Sequence, residues 1–144
     1  MNKNLIEAKE LLDANDYTCV IMSGKSLYTS RERGVKPLLA WVNEGVDFAG
    51  FFAADKVVGK AAAFLYVLLK VEAVYAKIIS APAVQVLDKH DIQVFYEEKV
   101  EAIRNRTNTG FCPMEKTVWE IENPKEALEA IRKKASELSN TTIL

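Results

Sequence analysis

Two short stretches carry residue types that could do chemistry. The first is Asp55-Lys56-Val57-Val58-Gly59-Lys60. A carboxylate that follows the apolar run 48–54 suits a helix N-cap, because it can accept the free amides of the next turn. Lys56 and Lys60 are four apart, so on a helix beginning at Asp55 they share one face. In the first turns the helix dipole disfavours each cation by roughly 0.3–1 kcal/mol. A bound anion would relieve that cost and use the free amides. The plainer alternative is two solvated lysines offset by Asp55.

The second stretch is Cys112-Pro113-Met114-Glu115. A cysteine at a helix start faces free amides that favour the thiolate. Glu115 could bond back to the cap amide as in a capping box. It could also shuttle protons for a nucleophilic or sulfur-carrying thiol. The alternative is a helix cap with a small residue at its tip, and no histidine is placed to pair with the thiol.

Other polar groups could assist. Arg31 and Arg33 lie in the loop 30–34, and guanidinium groups suit phosphate or carboxylate. Asn105 and Arg106 open a turn-rich loop that could present donors to a ligand or simply be solvated. Two apparent phosphate loops fail. Ser23-Gly24-Lys25-Ser26 has Cys19 where the motif needs its first glycine, and a strand follows it. Gly59-Lys60 has Ala54 at the corresponding glycine and Ala61 in place of the Ser or Thr. His90, between Lys89 and Asp91, reads as a charge partner for a helix end. Cys19 reads as an inert strand-core residue.

The elements that must position these groups alternate. A helix over 4–14 has apolar residues at Leu5, Ile6, Ala8, Leu11 and Leu12. A hairpin follows, with strands 17–22 and 26–29 about Ser23-Gly24-Lys25. Pro37 starts a helix to about Asn43 that Gly45 closes. Then come strand 48–54, helix 57–69, strand 71–79, helix 81–89 and strand 92–96. Residues 97–104 suit a short helical turn. Cys112 opens a short helix, and Asn123-Pro124-Lys125-Glu126 is a full start signal for the last one, frayed after Ser139. Helix 57–69 is apolar on nearly every side and belongs inside the molecule. Strands alternating with helices imply a largely parallel sheet with one antiparallel hairpin strand, helices on both faces and α/β class. Ligands in such sheets sit beyond the carboxyl ends of the parallel strands.

The chain has 144 residues, enough for one domain with a full core. Its net charge of -1 gives no pull toward nucleic acid or an anionic membrane. The polar N-terminus is not a signal peptide, and no apolar run spans a bilayer. Two cysteines make no disulfide framework, which fits a cytoplasmic protein with free thiols.

The segments Gly34-Val35-Lys36-Pro37-Leu38-Leu39, Ala54-Asp55-Lys56-Val57-Val58-Gly59-Lys60-Ala61-Ala62-Ala63 and Asn105 through Glu115 resemble a prokaryotic family of unknown function grouped with the cytidine deaminase-like fold. The resemblance implies a three-layer α-β-α fold over 1–144, with a mixed five-stranded sheet and an N-terminal hairpin, and no established activity. Zinc deaminases hold the metal with a His or Cys at one helix start and two cysteines at a second, while a glutamate moves the protons. Here the first start, near Arg33 to Leu38, has no such ligand, and the second has Lys60 and no cysteine. A catalytic zinc site needs three converging ligands, so neither metal nor cofactor is expected. The sequence therefore points to a small anionic or nucleotide-like ligand at the helix starts of Asp55 and Cys112. A thiol-dependent enzyme using Cys112 and a non-catalytic homo-oligomeric or partner-binding module are the alternatives.

Overall fold

A computed structural model describes residues 1–105, 110 and 112–143. Eleven elements follow one another among them: α1 (Lys3–Ala14), β1 (Cys19–Ser23), β2 (Ser26–Ser30), α2 (Lys36–Asn43), β3 (Phe52–Val58), α3 (Lys60–Leu69), β4 (Ala73–Ser80), α4 (Ala81–Lys89), β5 (Gln93–Val100), α5 (Pro113–Val118) and α6 (Pro124–Ile143). The strands form one sheet in the order β2-β1-β3-β4-β5. β1 is antiparallel to both β2 and β3, while β3, β4 and β5 are parallel. The result is a mixed, open α/β sheet.

The sheet divides the core in two. On one face α1 lies alone. Asn2 caps it, its side chain accepting from the Asn4 amide at 2.7 Å, and Leu5, Ala8 and Leu12 are buried against Val20, Met22, Ala54 and Tyr75. On the other face sit α2 to α6, their apolar stripes gathered round α3. α3 is buried from Lys60 to Tyr66 and again at Leu69, as a helix apolar on all sides must be. Each large side chain buried there, such as Phe64 or Leu65, contributes about 1.5–3 kcal/mol. α3 ends at Lys70, which adopts the left-handed conformation with φ 69°.

β1 and β4 begin two residues later than read, at Cys19 and Ala73, and three boundaries depart further. The strand read at 48–54 runs over Phe52–Val58, and Phe48 to Gly50 instead form a turn, closed by the Phe51 amide donating to the Phe48 carbonyl at 2.9 Å. Asp55 is therefore no N-cap. It lies inside β3, opposite Cys19 of β1 and Ala76 of β4. The helix begins three residues later than read, with Gly59 at its cap. Second, β5 extends to Val100, which pairs with Ser80, so 97–100 is strand rather than a helical turn. Third, α6 continues to Ile143 instead of ending near Ser139. Its start is as read: Asn123 Oδ1 accepts from the amides of Lys125 and Glu126 at 2.8 and 3.2 Å.

Candidate functional site

The free amides of α3 are where the sequence places an external anion. The structure fills them from within. Glu115 of α5 is buried, and its two carboxylate oxygens accept from the Lys60 amide at 2.5 Å and the Ala61 amide at 2.9 Å. A carboxylate forked on a helix start answers both the dipole and the unpaired donors. Gly59 is what lets it approach: a Cβ there would lie 2.4 Å from the Glu115 carboxyl carbon. Burial pushes the Glu115 carboxyl above the ordinary glutamate range, while the two amides and the Lys60 charge pull it back in part.

This geometry corrects the capping-box reading. Glu115 does not return to the cap of its own helix. The Cys112 amide instead donates to the Ile103 carbonyl at 3.0 Å, and the Cys112 side chain makes no cap bond. Cys112 is half-buried against the core below α5. Each oxygen of Glu115 accepts one amide of α3, and no hydrogen bond joins Glu115 to the Cys112 thiol among the described residues.

Lys60 gains a second role from the same junction. Its side chain, 6% exposed, donates to the Trp119 carbonyl at 2.9 Å and lies 3.5 Å from the Glu122 carboxylate. Its backbone therefore holds the beginning of α5, and its ammonium holds the end of it. Beside this ammonium opens a cleft of about 190 Å³. Lys60, Gln85, Lys89, His90 and Glu122 give it a polar lining, and Pro82 and Val86 contribute apolar surface. Gln85 and Lys89 are one turn apart on α4, as are Val86 and His90, so α4 forms one wall. Lys60 and Pro82 lie just after the carboxyl ends of β3 and β4, and the lining continues along α4 to Lys89 and His90 at its far end. Neither Lys89, His90 nor Gln85 is committed to a side-chain hydrogen bond or ion pair among the described residues.

Asp55 belongs to a different, closed cluster. The Tyr66 hydroxyl donates to Asp55 Oδ2 at 2.6 Å, and the Cys19 sulfur lies 3.3 Å from the same hydroxyl. The Val57 amide donates to Asp55 Oδ1 at 3.2 Å. Burial raises the Asp55 carboxyl from 3.8 to about 7, against the lowering effect of these hydrogen bonds. Burial first, and then the Asp55 charge, pushes both Tyr66 and Cys19 well above their ordinary ranges. The Tyr66 hydroxyl thus bridges the Asp55 carboxyl and the Cys19 sulfur.

The remaining sequence candidates are dispersed. Lys56 is exposed on β3, so it shares no helix face with Lys60. Arg31 is exposed and stacks over the Tyr17 ring at 4.6 Å, and Arg33 is exposed in the loop before α2. Asn105 is half-buried, its amide donating to the Gly110 carbonyl at 2.9 Å. Arg106 lies outside the described residues. Of the candidates among the described residues, the structure brings together only Lys60 and Glu115. The residues missed were Lys89, His90 and Glu122. The pairs Gln85/Lys89 and Val86/His90 were legible as i, i+4 neighbours on α4, but nothing local ties them to Lys60. Among the described residues no group of three His, Cys, Asp or Glu side chains could hold a metal ion.

These features define a mixed α/β protein with an internally capped central helix and a cationic cleft beside that cap. The chain belongs to the family described as a domain of unknown function, DUF1893, which matches residues 7–135. It is similar to a DUF1893 family protein (TM1506) from Thermotoga maritima, known from a crystal structure, at 30% identity, with 93% of this chain and 92% of that chain covered and a TM-score of 0.86. No curated protein matches the chain. Among the described residues no helix is long and apolar enough to cross a membrane.

Proposed function

We propose that this protein binds a small anionic or nucleotide-like metabolite in the cleft beside Lys60, on a deaminase-like scaffold that does not carry out zinc deamination. The order β2-β1-β3-β4-β5, with β1 antiparallel, supports that reading of the scaffold. At the start of α3, where a zinc deaminase would offer cysteine, this chain offers Lys60 and the internal carboxylate of Glu115.

The observation that carries the reading is the cleft itself. A nearly buried ammonium stands at one side, and Lys89 at the end of α4 and His90 at its C-cap stand uncommitted at the other. Only Glu122 opposes them. An anion entering here gains charge-assisted hydrogen bonds without having to compete for the α3 amides. The binding place is thus the side chains around the helix start, not the helix start.

Thermal unfolding in the presence of nucleotides, nucleosides and small anions tests the reading. A ligand at about a hundred times its Kd adds about 2.7 kcal/mol of stability, so the midpoint rises. Lys89→Ala, which removes an exposed ammonium and touches no core residue, should abolish that rise. Wild-type midpoints that stay unchanged across the whole panel would refute the reading.

A further inference from the structure

The size and charge balance of the cleft narrow the class of occupant, and one of its lining residues acts as a stand-in for it. At about 190 Å³ the cleft is smaller than the 300 Å³ or more of pockets that enclose drug-sized ligands. A phosphate group fits it, but a base and ribose would have to lie outside. Lys60 and Lys89 bring two positive charges, and Glu122 is the one anion among the lining residues. The Lys60–Glu122 pair is lopsided: the lysine side chain is 6% exposed and the glutamate side chain 71%. Glu122 sits in the connection between α5 and α6, at 3.5 Å, and makes no other hydrogen bond or ion pair among the described residues. Lys60 is fixed by the Trp119 carbonyl, so in any exchange of partners Glu122 is the one that moves.

Resting on the anion-binding reading above, we propose that the cleft takes a phosphate-sized dianion, free or as the terminal group of a small phosphomonoester, and that this dianion displaces the Glu122 carboxylate from Lys60. Glu122 is then a positioning residue in reverse: it holds the ammonium in place while the cleft is empty and competes with the ligand for it. Two lysine charges set against one exposed carboxylate leave room for two negative charges once Glu122 swings out. The Trp119 carbonyl continues to orient the ammonium in both states.

Amide NMR titrations in low-salt buffer test this, with inorganic phosphate, glycerol phosphate and AMP as separate arms on the wild type, Glu122→Gln and Lys89→Ala. Exposed ion pairs are weak, so removing the competitor should tighten phosphate binding by about two- to fivefold. Lys89→Ala should weaken it by at least that factor. Shifts should centre on Lys60, Gln85, Lys89 and His90, and should be the same for phosphate and for the phosphate end of AMP. Glycerol phosphate binding more tightly than phosphate would support the proposal and identify the phosphomonoester as its source. AMP binding tenfold or more tightly than both, or Glu122→Gln leaving phosphate binding unchanged or weaker, would overturn it while leaving the anion-binding reading intact. No binding in any arm would overturn the phosphate proposal, while the broader anion-binding reading falls only if the full thermal-shift panel is also flat.

Discussion

The Asp55 carboxyl is held at about 7, against 3.8 for an ordinary aspartate. Between those values the folded chain keeps a proton that the unfolded chain has lost. Raising the pH from about 4 to 7 therefore weakens the fold, and the loss is complete above the folded-state value. The gap of about three pH units caps this contribution at roughly 4 kcal/mol. Asp55→Asn keeps an acceptor for Tyr66 and removes the titration. Urea unfolding at pH 5 and pH 8 should show a smaller difference for the variant than for the wild type; equal differences would count against a buried, raised carboxyl. The two thiols give a second residue-scale test. Cys19 is buried with its sulfur against the Tyr66 hydroxyl, while Cys112 is half-buried at a helix cap. Iodoacetamide should label one thiol per native chain, at Cys112, and two after unfolding in urea. Labelling of Cys19 in the native state would contradict the closed cluster.

Among the elements, the α3–α5 junction couples most strongly. Glu115 is 54 to 56 residues from Gly59, Lys60 and Ala61 in this junction, yet neither it nor Gly59 works without the other. Gly59→Ala places a methyl group into the Glu115 carboxylate, so it should cost about 1–3 kcal/mol by overpacking. Glu115→Ala leaves two buried amides unpaired, at about 1–3 kcal/mol in turn. The double variant should cost less than the two single costs added, because the clash exists only when both groups are present. Strict additivity in denaturant unfolding would refute the fork. This junction also shows what the sequence conceals. The start of α6, with its own cap at Asn123, was legible because cap and amide lie within three residues. The hairpin, β4 and α4 were legible from β-rich runs, glycine and proline. The β3–α3 boundary was not, because Asp55 and Lys56 look like a strand end. The hydroxyl that lets an aspartate sit inside a strand comes from Tyr66, and the anion at the α3 cap comes from Glu115. The sequence marked Lys60 and Glu115 as chemical residues but assigned each to the wrong neighbour.

For the molecule as a whole, the sheet has one thick side and one thin side. Five helices share one face, whereas α1 alone closes the other. Leu12→Ala should therefore cost about 2–5 kcal/mol and raise the binding of an apolar dye. A loss below 1 kcal/mol would mean that α1 contributes little cover. The sheet also ends at β5, with no strand paired to its outer side among the described residues. Such an edge offers unsatisfied backbone groups to any other extended chain. Glu97, Glu98 and Lys99 stand exposed along it, and charges so placed make stacking of one copy on the next unfavourable. A chain with valine at 97 and 98 would keep its fold but lose that protection, and would turn turbid and stain with thioflavin at concentrations where the wild type stays clear.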